Sequence, residues 1–375
     1  MINALPLLAR RHAIGLMAGP LLLGRSGAVR AASLFPTSAA VAAVPFPEGA
    51  TILVAGPDGG RLGRWGDAVA TALDETLPPG TKVRAACIGG VDGVTGANQF
   101  EARVPSDGAT VLLAPGAAAL DWLVGDPRAH FDAEHWVPVM AGVTPGVVMV
   151  GPDAVSAGAS GPGAGGPGAG GVVRVAASGP VGPQLPALYG LDLLGARIAL
   201  VFGLNEPEEI AAAFVAGKID AALIWGQNVP RQVAALREAG GTALFGLGVS
   251  DPDGAPGRDP AFPDVPTLAE LYVARHGARP PGPRYDAWCA VAAAMRLEFG
   301  LVLPRLTSAA MVALWRRAAS RAASQSGVQY LANAFAVQPL EGVAAAAAMS
   351  SVATDSAALL ELRGWLATRF NWRPT

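Results

Sequence analysis

One repeated triplet constrains the fold more than anything else in the chain: an apolar run, a glycine-rich turn, then apolar residues at helical spacing. Residues 51–55 (TILVA) read as a buried strand and residues 56–60 (GPDGG) as a tight turn. Trp65, Val69, Ala72 and Leu73 then recur on one helical face, and Pro78-Pro79-Gly80 ends that helix. The triplet returns with a strand at 82–87, a turn from Gly89 to Gly93, and a helix carrying Ala97, Phe100 and Val104. It returns again with a strand at 110–113, the turn Pro115-Gly116 and a helix at 117–124. Strand, turn and helix in succession predict a parallel sheet in an α/β domain.

A second series begins at 172, after a stretch (154–171) made almost wholly of Gly, Ala, Ser and Pro. Such a stretch cannot bury a core and reads as a flexible surface loop. Gly161, Gly163 and Gly166 inside it match a dinucleotide fingerprint by letter. Pro162 and Pro167 interrupt it and no strand runs into it, so the match is discounted. Strands are predicted at 172–177, 198–202, 221–225 and 243–247, with helices at 185–194, after Asn205, and at 229–239. Glu206, Glu208 and Glu209 complement a helix N-terminus rather than forming a catalytic carboxylate pair. Residues 248–266 read as a polar loop and the C-terminal third as helical. Met311, Leu314, Trp315 and Ala318 line one buried face; Leu359, Leu362, Leu366 and Phe370 line another.

Composition excludes several classes. Charged residues make up only 15% and hydrophobic residues 51%, the reverse of a disordered chain. The 48 glycines and 32 prolines follow no collagen period. No uncharged apolar run of about 18 residues is free of Gly or Pro, so no spanning helix is expected. Residues 1–31 read as a secretory leader: Arg10-Arg11, an apolar segment at 13–23, and Val29-Arg30-Ala31 for cleavage. Export by the Sec or twin-arginine route to the periplasm follows, with 32–47 as a tether. The leader carries four arginines and no acid, so its removal takes the net charge from −2 to −6. That balance argues against nucleic acid as a partner. Cys87 and Cys289 are open to two readings, a disulfide or two buried thiols.

Catalytic chemistry is not evident. Asp126, His130, Asp132, Glu134 and His135 cluster in sequence but match no metal-ligand spacing, and read as a solvated connection. There is no nucleophile elbow, P-loop or SxxK motif. The chain is therefore expected not to be an enzyme, and to use no cofactor or metal. What remains is the set of glycine turns that open helices. A helix N-terminus offers unpaired N–H groups and partial positive charge, and glycine lets a ligand approach the backbone.

Three passages resemble the extracytoplasmic solute receptors of tripartite tricarboxylate transporters (the Bug family). The first is residues 52–60 (ILVAGPDGG). The second runs from Gly93-Val-Thr-Gly-Ala97 to residues 105–113 (PSDGATVLL). The third, and most specific, is residues 260–270 (PAFPDVPTLAE). Weaker echoes are Phe131-Asp132 to Pro138, residues 178–182 and residues 216–220. The resemblance implies a type II periplasmic-binding-protein fold: two α/β lobes joined by two crossing strands, with C-terminal helices packed on the first lobe. Residues 48–145 and 243–375 would form lobe 1 and residues 146–242 lobe 2. Such proteins close by hinge motion on a small anionic organic ligand and deliver it to membrane permease subunits, usually as monomers. The alternative is an envelope sensor or structural protein that kept the fold but not transport. The implied ligand-binding residues are Gly59, Gly60, Arg61, Gly93, Thr95, Gly96, Pro115, Gly116 and Ala117 in the first lobe. Ser178, Gly182, Gln184, Trp225 and Gln227 would face them from the second. Where the family often has Asp, this chain has Gly63. Nearby Arg61 is read either as favouring an anion or as a solvated helix-start residue.

Overall fold

The computed structural model describes residue 46 and residues 49–151, 172–204, 207–250 and 256–373. The expected leader, nearly all of the tether, the 154–171 loop and Asn205 lie outside the described residues.

The chain alternates as the glycine rhythm predicts. β1 (Gly49–Ala55), α1 (Arg61–Thr76), β2 (Lys82–Ile88), α2 (Val94–Arg103), β3 (Thr110–Ala114) and α3 (Gly116–Val124) come first. β4 (Val137–Val143) and β5 (Gly146–Val150) are separated by only two residues. The second series is β6 (Val172–Ala176), α4 (Leu185–Leu193), β7 (Arg197–Val201), α5 (Pro207–Val215), β8 (Ala221–Trp225), α6 (Val229–Glu238) and β9 (Thr242–Gly246). A two-residue hairpin, β10 (Val249–Ser250) with β11 (Pro256–Gly257), precedes α7 (Leu268–His276) and α8 (Gly282–Arg296). The chain finishes with β12 (Leu297–Leu303), α9 (Ala309–Ala323), α10 (Ser326–Phe335), β13 (Gln338–Glu341), α11 (Gly342–Ser350) and α12 (Ser356–Phe370).

Two sheets result, ordered β13-β4-β12-β3-β1-β2 and β7-β6-β8-β5-β9. Strand direction fixes where they meet. β12 runs antiparallel to both β3 and β4, so β4 is parallel to β3 and ends at the carboxyl edge. β5 enters antiparallel to β8, pairing Gly146 with Trp225, and so starts at the carboxyl edge of the second sheet. β9 returns antiparallel to β5 and leaves at that same edge. Both crossings therefore join the carboxyl edges of the two sheets. That is where α/β folds place ligands, because the helix N-termini converge there.

Two expectations are corrected. The C-terminal third is not wholly helical, since β12 is a central strand of the first sheet, flanked by β3 and β4. A short apolar run (LEFGLVL) reads equally as buried helix or buried strand until its partners are known. Residues from 243 onward were grouped with the first lobe, but β9 is hydrogen-bonded into the second sheet.

The helices also divide differently. α9 and α10 pack on α1, and α11 packs on β4, all on the first sheet. α8 and α12 instead pack against both α3 of the first lobe and α4 of the second, in one continuous core. Leu120, Leu123, Leu188, Tyr189, Trp288 and Leu362 are all at most 3% exposed within it. Gly190 makes room: a Cβ there would stand 2.7 Å from the Phe245 ring and 2.9 Å from Trp288 Nε1. Trp288 Nε1 donates to the Pro186 carbonyl at 2.9 Å. Asp192 on α4 accepts from Arg284 of α8 and, at 2.9 Å, from Trp365 Nε1 of α12. Among the described residues, no helix is long and apolar enough to cross a membrane.

Candidate functional site

The candidate site is built from the turns that follow β1, β2 and β3. After β1 the chain turns at Gly59, whose φ of +68° suits glycine. The Gly59 N–H is taken by Asp58 Oδ1 at 2.9 Å and the Gly60 N–H by the Pro57 carbonyl at 3.2 Å. α1 then starts with no side-chain cap and no acid in its first turn. The first-turn amides of Arg61, Leu62 and Gly63 thus keep the anion-attracting character of a helix start.

Arg61 does not extend into solvent. Its Nε donates to Glu298 Oε1 on β12, and its guanidinium lies 4.7 Å from the centre of the Phe335 ring. Trp65 Nε1 also donates to Glu298 Oε1, at 3.2 Å. The Arg61 and Glu298 side chains are 25% and 12% exposed. Arg61 Nη2 is buried with no hydrogen-bond partner. Its charge is therefore already matched, and neither sequence reading of Arg61 described this. Glu298 was missed altogether; the only signal was a lone acid inside the apolar run of β12. Arg61→Met should cost about 2 kcal/mol, between an exposed and a fully buried pair, by stranding the Glu298 carboxylate. Adding Glu298→Gln should recover most of that loss in thermal unfolding.

The second and third turns are packed together. Gly93 opens α2 at φ +77°, and a Cβ there would meet Pro115 Cδ and Cγ at 2.6 Å. A Cβ on Gly96 would stand 2.6 Å from the Ala55 Cα and 3.2 Å from the Ile88 carbonyl. A Cβ on Gly89 would meet Thr95 Cβ at 2.8 Å. Gly93, Gly96 and Pro115 thus close around the end of β1, with Thr95 beside them, and backbone packing alone demands the two glycines. α2 has no side-chain cap hydrogen bond, though Asp92 Oδ1 accepts from the Val94 N–H at 3.3 Å. α3 is different. A Cβ on Gly116 would stand 1.9 Å from the Ala294 carbonyl and 2.5 Å from that of Leu297. The start of α3, including Ala117, is therefore covered by the end of α8.

In the second lobe Ser178 donates its N–H (3.1 Å) and its hydroxyl (3.0 Å) to Gln184 Oε1. Gln184 is buried, and Gly182 lies against the pair. These three form a knot that sets the start of α4. Trp225 sits beside the crossing, partly buried in the core shared by the lobes. Gln227 is exposed, and its carbonyl accepts from Gln232 at 2.8 Å.

Other sequence features find structural roles. In the PAFPDVPTLAE passage, Phe262 and Val265 pack into the second-lobe core. Thr267 and Glu270 form a capping box on α7, and the Pro266 carbonyl receives the Gly246 N–H at 2.9 Å. The passage staples the return crossing to the second lobe. Cys87 and Cys289 are free thiols, and burial pushes Cys289 up to about 12. Among the described residues, no group of three His, Cys, Asp or Glu is placed to hold a metal ion.

The segment around Asp126 is an ion-pair network: Arg128 bonds Asp126 (2.9 Å) and Asp92 (2.8 Å) and lies 3.8 Å from Asp121. Burial, reinforced by Asp126 and Asp92, raises the Asp121 carboxyl to about 6. The folded protein thus holds a proton there that the unfolded chain releases near 4. The associated stability is present below that value and is lost as pH rises through about 6. Asp121→Asn should therefore stabilise the protein at pH 7.5 by about 1 kcal/mol after solvent screening, read as a higher melting temperature, and the gain should vanish near pH 4.

No protein-family model matches the chain, and no curated protein sequence matches it. Solved structures do. A TctC solute-binding protein from Polaromonas, without ligand, superposes with a TM-score of 0.61 at 16% identity, covering 85% of this chain and 98% of that one. The periplasmic binding protein BugD superposes at 0.48 with 14% identity, covering 87% and 99%. MatC from Rhodopseudomonas palustris, with bound malate, superposes at 0.46 with 19% identity, covering 82% and 97%. The first of these shows the fold: two α/β lobes arranged as in a TctC solute-binding protein, as the resemblance implied.

Proposed function

We propose that the protein is a solute-binding receptor of the bacterial envelope, non-enzymatic, that holds a small carboxylate-bearing metabolite between its lobes and presents it to a membrane permease. The observation that carries this reading is the placement of α1 and α2. Both start at glycine N-caps at the carboxyl edge of the first sheet, where the crossings bring in the second, and the nearby Asp92 side chain takes only the Val94 amide. First-turn amides of Arg61, Leu62, Gly63, Thr95 and Gly96 would take the carboxylate. Ser178, Trp225 and Gln227 would approach from the second lobe. The α3 start, sealed by α8, would shape the floor rather than bind.

One observation favours the second reading, a sensor or structural relative without a transport cycle. The core shared by α3, α4, α8 and α12 ties the lobes together, so wide opening would expose buried Trp288, Leu120 and Leu188. Both readings meet the same first test: melting temperature of residues 44–375 against a panel of mono-, di- and tricarboxylates. A ligand at about a hundred times its Kd stabilises by about 2.7 kcal/mol. A shift with one carboxylate and a smaller radius of gyration on binding supports the receptor. A shift without compaction supports the sensor, and no shift with any carboxylate contradicts the receptor and leaves the structural relative.

A further inference from the structure

A groove runs behind the crossings, away from the α1 and α2 turns. It has three neighbouring chambers of about 660, 410 and 280 Å³ that share lining residues. Arg296, at the junction of α8 and β12, lines all three. The 410 Å³ chamber shares Val249, Ala293, Val343 and Ala347 with the largest one, and its walls are otherwise mainly apolar, Leu340 and Ala344 among them. The size falls within the range of small-molecule pockets.

Arg296 is an unusual lining for such a chamber. Its side chain is 10% exposed. Its one charged partner among the described residues is Asp259, with Nη2 3.4 Å from Oδ2, a long contact. Asp259 is better provided for, since its Oδ1 accepts from the Ala261 N–H at 2.9 Å. Arg296 Nε is buried with no hydrogen-bond partner among the described residues. A guanidinium carries five N–H donors in a planar fork that matches a carboxylate. Leaving such donors unmet inside a protein costs free energy that an oxyanion would recover. Apolar walls beside a buried cation call for a ligand with an anionic head and an apolar body.

We propose that this groove is a second ligand site, separate from the interlobe turns, for an amphipathic monocarboxylate. Its carboxylate bonds the Arg296 guanidinium, and its aliphatic or aromatic body fills the chamber between Val249, Leu340 and Ala347. The site touches the crossings directly. Thr144 in the first crossing donates its N–H to the Arg296 carbonyl at 2.8 Å, and Val249 follows the second. Occupancy would therefore brace the geometry that the crossings impose on the lobes. Diacids suit the site poorly, because the described lining holds no second lysine or arginine.

Octanoate is the probe, with octanol as its neutral counterpart and octyltrimethylammonium as its cationic one. Isothermal titration of residues 44–375 should show saturable binding of octanoate alone. Ala347→Phe, which fills the chamber, should weaken it at least tenfold. Arg296→Met with Asp259→Asn, which removes both charges together, should do the same. Gly59→Asp, at the interlobe turns, should leave octanoate binding unchanged. The proposal is overturned if octanoate does not saturate, if octyltrimethylammonium binds as well, or if Ala347→Phe and the double variant both bind like the wild type. It is equally overturned if Gly59→Asp abolishes the binding, which would place octanoate between the lobes.

Discussion

Gly116→Ala should strongly destabilise this chain, although it adds a single methyl group. The added Cβ would stand 1.9 Å from the Ala294 carbonyl oxygen and 2.5 Å from that of Leu297. Both neighbours are backbone, held at the point where α8 turns into β12, so neither can swing aside as a side chain would. Relief requires α3 to back away from α8, which loosens the core joining α3, α4, α8 and α12. Overpacking a core by one group costs about 1–3 kcal/mol where side chains can yield. With rigid backbone on the receiving side, about 3 kcal/mol or more is expected, a large share of the stability of an ordinary domain. Gly364→Ala is the control. It lies in α12 with nothing within 4 Å of its Cβ position, and should stabilise by about 0.5–1 kcal/mol through helix propensity alone. Thermal unfolding followed by circular dichroism separates the two. A Gly116→Ala protein melting within about 2 °C of the wild type would mean that α8 does not seal the start of α3.

Gly59→Asp should remove carboxylate binding at the interlobe turns while leaving the protein folded. Gly59 is exposed, its Cβ position is open for 4 Å, and its φ of +68° is one that Asp tolerates better than most residues. The new carboxylate would sit beside the uncapped start of α1, where an acid is favourable for the helix. It would also occupy the field that an anionic ligand needs. Repulsion between two carboxylates near a protein surface, at 4–6 Å, amounts to about 3 kcal/mol. Affinity for any di- or tricarboxylate that shifts the wild-type melting temperature should therefore fall at least tenfold. Gly96→Val is a poorer probe, because it would collide with β1 and confuse unfolding with loss of binding.

The glycine rhythm made most of the architecture legible in sequence, since period-2 and period-3.6 patterns separated by Gly turns leave little choice of fold. Legibility failed where a role depends on a distant partner. β12 reads as a strand only once β3 and β4 flank it. Arg61 reads as an anion-binding residue until Glu298, 237 positions away, is seen to hold it. Glycines were recognised as necessary, but for the wrong neighbours in part. Gly93, Gly96 and Gly116 are required by Pro115, Ala55 and Ala294, whereas Gly59 faces open space. The same holds for PAFPDVPTLAE, where Phe262, Val265, Thr267 and Glu270 staple a crossing to the second lobe, a role that needs the folded neighbours to be seen. Arg296 gave no sequence signal beyond being a charge at the edge of an apolar run.

The most direct test of carboxylate capture at the helix starts is an amide NMR titration with a di- or tricarboxylate that raises the melting temperature. The largest shifts should fall on the N–H groups of Arg61, Leu62, Gly63, Thr95 and Gly96, with smaller ones at Ser178 and Gln227. Saturable shifts that spare all five first-lobe amides and gather elsewhere would contradict it.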